Sequence, residues 1–213
     1  MNFIPDVSTM AAFTLAAIIL ILSPGPDMAL VLGKSIGRGR KIGLATYAGT
    51  TTGSILHSVF ASLGITALLA ASPIAFGLLK VSGIAYLLWL AYKTVRHGSA
   101  LTLIETKSGK DTIWHSWSNG FLVNLINPKA VIFFVTFLPQ FVSANDPYAG
   151  QKLLFLGLYL CLLALPFYIG IIWMASKFSS FMQNSPKFMR AFDYIFATLI
   201  GSFALKMIST KAN

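Results

Sequence analysis

Charged residues divide the chain into long apolar stretches. Residues 7–26 carry no charge, Asp27 interrupts, and the apolar run resumes to Gly33. Between Lys41 and Lys80 lie 38 uncharged residues. That is too many for one crossing of a bilayer core, which about 20 helical residues span. Ala71-Ser72-Pro73 supplies a break and predicts one helix near 43–70 and another near 74–95. A polar stretch from Arg96 to about Ser116 follows, and further apolar spans run near 118–142, 152–176 and 189–209. Each segment, at about 1.5 Å rise per residue, matches a core of about 30 Å. The pattern predicts an all-α membrane protein of six transmembrane helices. One transporter domain would fill residues 1–213, with halves of about 1–96 and 117–213 joined by a cytoplasmic loop of about 97–116.

Composition sharpens this. Charged residues are 10% and apolar residues 56%, against about 25% charged in a soluble domain. So few charges cannot cover a water-facing surface. The net charge of +10 invites a nucleic-acid reading, but the basic residues sit in short connectors and form no solvated face, so no nucleic-acid partner is expected. Cys161 is the only cysteine, which excludes an internal disulfide and offers no metal cluster. No cofactor is expected. Ahead of the first span there is Asp6 and no Lys or Arg, unlike a signal peptide, so that span is expected to stay in the membrane.

Orientation follows from the connectors. Lys34, Arg38, Arg40 and Lys41 lie in the first; Lys93, Arg96, Lys107 and Lys110 in the third; Lys177, Lys187 and Arg190 in the fifth. The opposite side holds Lys152, Lys206 and Lys211. The positive-inside rule then places both termini outside the cytoplasm. Trp89, Tyr92, Trp114 and Trp117 stand near span ends, as an interfacial aromatic belt requires.

Two spans are interrupted by proline. Pro24-Gly25-Pro26-Asp27 lies in the first and Asn127-Pro128-Lys129 in the fourth, with Pro26 and Pro128 102 residues apart. Three spans per half is an odd number, so the second half must enter from the other side. The expectation is two inverted three-helix repeats, with broken first and fourth helices building a midplane site. A proline inside a helix removes a donor and frees a carbonyl, and such groups must face protein or a water-filled cavity. Gly25 and Asn127, just ahead, tolerate unusual backbone geometry. Pro26 and Pro128 suit the first turn of the half-helices that follow. Ionised groups at this depth cost about 2.5–3.5 kcal/mol and mark function. Asp27, Lys129, Pro24, Gly25, Pro26, Asn127 and Pro128 are therefore the expected substrate site. Two readings of the charges stay open: they hold a zwitterion, or they pair and lock the halves together.

Gly49, Gly53 and His57 share one face of the second span. The glycines are expected to pack helices closely. His57, ionisable near neutrality in a charge-free span, is a proton-coupling candidate beside Asp27. Gly33, Gly37, Gly39 and Gly43 are expected in a cytoplasmic turn, and Pro139 and Pro166 as ordinary kinks. No HExxH or GxSxG occurs, and the expectation is not an enzyme.

Several stretches are similar to the LysE/RhtB family of bacterial amino-acid exporters: Ser23-Pro24-Gly25-Pro26-Asp27, Gly37-x5-Gly43, Gly49-x3-Gly53, Gly83-Ile84-Ala85-Tyr86-Leu87, and above all Asn119-Gly120-Phe121-Leu122-Val123-Asn124-Leu125-Ile126-Asn127-Pro128-Lys129 continuing through Phe133-Phe134 to Phe137-Leu138-Pro139-Gln140-Phe141. The similarity runs from about residue 10 to the C-terminus. It implies a multi-pass protein of the bacterial inner membrane, both termini periplasmic, exporting a small amino acid or derivative by alternating access with proton coupling. Its partners would be that solute, protons and lipid; a homo-oligomer is left open. Many members carry Asn where this chain has Asp27, which implies a role for Asp27 in substrate choice or coupling. Export of a cation or another metabolite, with Asp27, Met28 and His57 as ligands, and a non-transporting structural subunit are the alternatives.

Overall fold

A computed structural model describes residues 3–71, 73–97, 112–143 and 146–209. Residues 98–111 of the loop expected at about 97–116, and with them Lys107 and Lys110, lie outside the described residues, as do Ser72 and Lys211. Every regular element among the described residues is helical.

Helix α1 spans Val7–Leu22 and opens on Asp6, whose carboxylate accepts from the Thr9 amide at 3.0 Å. The Ser8 hydroxyl, then the Thr9 amide and hydroxyl, hold the exposed Asp6 carboxyl well below the usual carboxylate range. The helix stops at Leu22 because Pro24 has no N–H to give Leu20. Helix α2, Pro26–Arg38, starts afresh with proline in its first turn. Gly39, at φ 86, turns the chain in a single residue, and α3, Arg40–Ala71, begins at once. The expected glycine-rich turn thus shrinks to Gly39. Gly33 and Gly37 are helical, and Gly43 lies in α3 where a Cβ would collide with the Ser35 hydroxyl of α2.

Helix α4 is Pro73–His97 and α5 is Ile113–Leu125, capped by the Thr112 hydroxyl accepting from the His115 amide at 3.1 Å. Residues 113–116, expected in the connector, are therefore helical. Beyond the second break come α6, Pro128–Ile132, a π-helical turn at Phe133–Phe137 and a 3-10 turn at Leu138–Phe141. The wide turn has a local cause. Pro139 cannot donate to Val135, Leu138 donates instead to Phe133, and the Gln140 side chain caps the Thr136 carbonyl at 3.0 Å. Pro139 is thus more than the ordinary kink expected. Helix α7, Ala149–Trp173, contains Pro166. A separate short helix, α8 (Ala175–Asn184), which the apolar pattern did not predict, precedes α9 (Pro186–Ser209).

Helix α3 is the hub, packed on α5, α7 and α2; α1 lies on α7, and α4 on α9. The largest buried cluster joins α1, α7 and the π turn through Phe13, Phe133, Phe137, Leu138 and Leu156, with Phe13 edge-on to Phe141 at 5.1 Å. The exterior is apolar, with Leu15, Phe60, Leu63, Leu162 and Trp173 all exposed. Among the described residues, length and composition qualify α7 alone to cross a membrane, or three spans if each broken pair counts as one. Both broken pairs bend by 51°. Helices α3, α4 and α9 have 32, 25 and 24 residues, and part of their side chains lies outside the described residues.

Candidate functional site

The first break leaves the Leu20 carbonyl without its helical donor, because residue 24 is proline. Lys129 fills that gap from the second break. Its ammonium donates to the Leu20 carbonyl at 3.0 Å and to the Ser23 carbonyl at 2.6 Å. A side chain from the fourth-span break thus caps the C-terminal end of α1, where carbonyls concentrate negative charge. Neither Gly25 nor Asn127 adopts the unusual backbone geometry expected of it. Gly25 is extended, at φ −163 and ψ 179, and Asn127 lies at φ −67 and ψ 112. Asn127 acts instead as the N-cap of α6, its side-chain oxygen accepting from the Lys129 amide at 3.0 Å. A Cβ on Gly25 would come within 3.4 Å of Lys129 Cδ, so the two breaks are in contact.

Asp27 occupies the first turn of α2, where the helix dipole favours a carboxylate. Its Oδ2 accepts from the Asn124 side-chain amide at 2.7 Å, while Oδ1 is buried with no hydrogen-bond partner although the Asn127 amide lies nearby. Asp27 and Lys129 act on each other electrostatically, yet each is anchored by other groups. Both are half-buried and line a cavity at the two helix breaks.

Of the expected site residues, Gly25, Asp27, Asn127 and Lys129 line this cavity; the three prolines shape its backbone without forming its wall. The Tyr47 and Tyr168 rings, stacked at 4.6 Å, form one part of the wall, and Phe133 and Phe134 another. Thr50, Thr51 and Ser54 add hydroxyls, and Cys161 adds its thiol.

His57 stands behind the wall. Its ring stacks on Phe134 at 5.4 Å, and Nε2 lies 3.4 Å from the Asn124 carbonyl. Asn124 is therefore the joint between His57 and Asp27, and its amide oxygen also faces the Ser54 hydroxyl at 3.5 Å.

The glycines explain how Asn124 fits. At Gly49 a Cβ would run into the Trp117 carbonyl, and at Gly120 into that of Thr46, so α3 and α5 approach to backbone contact. One turn on, a Cβ at Gly53 would lie 2.5 Å from Asn124 Oδ1. Gly53 makes the room in which the asparagine amide sits. Sequence reading passed over Asn124, Tyr47 and Tyr168. A polar residue one turn ahead of Asn127 in an apolar span was a signal for the first; nothing in the local pattern distinguished the tyrosines from interfacial aromatics.

Helical elements throughout the described residues, an apolar exterior and two broken helices meeting around a cavity lined by both charged and apolar side chains are the marks of a membrane transport protein. The chain belongs to the LysE type translocator family, whose sequence model matches residues 18–211. It is 31% identical over 207 residues to the uncharacterized membrane protein YrhP of Bacillus subtilis, covering 93% of this chain and 97% of that one. It is 30% identical over 188 residues to a homoserine/homoserine lactone efflux protein of Salmonella typhimurium, covering 88% and 90%. An uncharacterized membrane protein of Vibrio cholerae is 27% identical over 213 residues, covering 97% and 100%. No solved structure matches the chain.

Proposed function

We propose that the protein is a secondary exporter of a small amino acid or derivative, catalysing no chemistry and working by alternating access across the bacterial inner membrane. The observation that carries this reading is the cavity at the two helix breaks, with a carboxylate and an ammonium in its wall. A zwitterion brings the complementary pair. Asp27 Oδ1 takes the solute's ammonium, and Lys129 faces its carboxylate. The relative named for efflux of homoserine and its lactone supports a small solute of this kind. In this reading the chain crosses the membrane six times as two inverted halves, with both termini periplasmic. The equal 51° bends at the two breaks support their correspondence as repeat positions.

Lys129 then has two alternative partners: the Leu20 and Ser23 carbonyls, or the solute's carboxylate. Transfer between them couples solute binding to the joint between the halves. Asp27 carries the coupling proton in the cycle's other limb, and His57 is its candidate partner through Asn124. Counterflow of labelled amino acids into proteoliposomes tests the reading. Asp27→Asn and Lys129→Ala should each weaken apparent affinity by about tenfold or more, the loss expected for one charge-assisted contact. Unchanged affinity in Lys129→Ala would remove the carboxylate role. His57→Gln should spare counterflow, which needs no proton gradient, and blunt export driven by an imposed pH gradient.

A further inference from the structure

The cavity holds a second recognition group besides the charges. Two of its lining residues each carry a buried polar atom without a hydrogen-bond partner, Asp27 at Oδ1 and Tyr47 at its hydroxyl. Tyr47 is 6% exposed. Its ring is fixed by the stack on Tyr168, at 4.6 Å and 10°, and by packing with Val31 and Ile172. Thr51, one turn along the same helix, is a polar neighbour but does not complete a hydrogen bond with it. Buried hydroxyls are ordinarily partnered, and one held rigid and unpaired in a cavity wall is a site prepared for a ligand group. Asp27 and Tyr47 line the same cavity, so a single solute can meet both residues.

We infer that Tyr47 is a specificity-determining residue: its hydroxyl reads a hydrogen-bonding group on the solute's side chain, so the cavity prefers small amino acids with polar side chains over aliphatic ones of the same shape. This rests on the amino-acid reading above, with Asp27 Oδ1 taking the ammonium. A phenol both donates and accepts, and a side-chain hydroxyl matches it in either sense. An aliphatic isostere leaves the Tyr47 hydroxyl desolvated and unpaired, which is how a site built around one hydrogen bond rejects the analogue that lacks it.

The test uses the purified full-length chain in proteoliposomes and two isosteric pairs, threonine against valine and serine against 2-aminobutyrate. Half-saturating concentrations for counterflow should favour the hydroxylated member of each pair by about fivefold or more in the wild type. In Tyr47→Phe, which keeps the ring and its stack, the ratio should fall to within about twofold. Cys161 supplies a second measurement on the unaltered protein. It lines the cavity and is the chain's only cysteine, so threonine should protect it from maleimide at lower concentration than valine. Equal handling of the pairs by the wild type, or a preference that survives in Tyr47→Phe, overturns the inference and leaves the amino-acid reading standing. If no amino acid exchanges or protects Cys161, both fall together.

Discussion

Replacing Gly53 with alanine tests whether this glycine serves the cavity or only the contact between α3 and α5. A Cβ there would stand 2.5 Å from Asn124 Oδ1 and 3.0 Å from Asn124 Cβ and Cγ. Ordinary carbon contact needs about 3.5 Å, so the whole asparagine side chain has to withdraw, and the movement pulls its amide away from Asp27 Oδ2, now 2.7 Å away. A hydrogen bond to a charged group contributes about 1.5–3 kcal/mol. Against this, alanine in a helix interior is about 0.5–1 kcal/mol better than glycine. The net expectation is a loss of about 1–2 kcal/mol. Gly64 in the same helix is the control, because a Cβ there meets nothing within 4 Å; Gly64→Ala should show only the helix gain. Melting curves of the purified proteins should therefore move in opposite directions, Gly64→Ala upward and Gly53→Ala downward. Counterflow affinity should fall by about fivefold to tenfold in Gly53→Ala alone. If Gly53→Ala matches Gly64→Ala in melting temperature and keeps wild-type affinity, the seat for Asn124 is irrelevant and the presentation of Asp27 has another cause.

Gly49→Ala should be far more damaging than Gly53→Ala, because its Cβ meets the Trp117 backbone and not a movable side chain; loss of folded protein in detergent chromatography checks this. Lys129→Met keeps most of the side-chain volume but strands the Leu20 and Ser23 carbonyls, and should lower stability by about 1–3 kcal/mol in urea titrations, whether or not solute is present. Gln140→Leu uncaps the Thr136 carbonyl at the π turn and should cost about 1 kcal/mol by the same titration. The Asp6 cap has a defined pH response: its folded carboxyl titrates below the unfolded value of about 3.9. Its contribution is therefore present above that pH and lost as pH falls through the folded value. The protection factor against hydrogen exchange in the first turn of α1, corrected for the intrinsic rate at each pH, should be constant from about pH 7 to pH 5 and fall only in stronger acid.

The breaks were legible because proline's missing N–H is a chemical absence that shows in any sequence, although Pro166 inside α7 shows that the absence alone does not end a helix. Charge spacing likewise located α1 to α3 and α7 closely, since an uncharged run bounded by Lys41 or Lys152 has few alternatives. What failed to show had partners far along the chain. Gly25 and Asn127 looked like residues chosen for backbone freedom, but their geometry is ordinary, and Asn127 is used for its side-chain oxygen. Gly33 and Gly37 looked like turn residues because glycine signals a turn locally, whereas helix packing admits it too. The α8 helix was invisible because its polar residues give no apolar span. Asn124 is the clearest case. Its role depends on Asp27, 97 positions away in sequence, and on the space left by Gly53, and neither relation has a local pattern.

Those long-range relations change what the two charges mean. If Asp27 and Lys129 paired directly, each would satisfy the other, and a solute would have to break that pair. Instead the structure gives each charge uncharged hydrogen-bond partners. Asp27 keeps one oxygen bonded to Asn124 and the other unpartnered, and Lys129 rests on two carbonyls exposed by Pro24 and the break. In the proposed reading a solute offers each of them a charged partner in place of a neutral one, which adds Coulomb attraction to the hydrogen bond. On the proposed reading, a zwitterion entering the cavity would gain a charged contact at both ends without first separating an Asp27–Lys129 pair. On the same reading that exchange would release the end of α1 from the second break, and the group proposed to recognise the solute would also be the one that joins the two breaks. Removing Pro24 separates these roles: in Pro24→Ala the restored amide can satisfy Leu20, so Lys129 keeps its charge but loses part of its tie. Solute affinity should rise while turnover falls, and an unchanged ratio of turnover to affinity in counterflow would show that the tie has no part in the cycle.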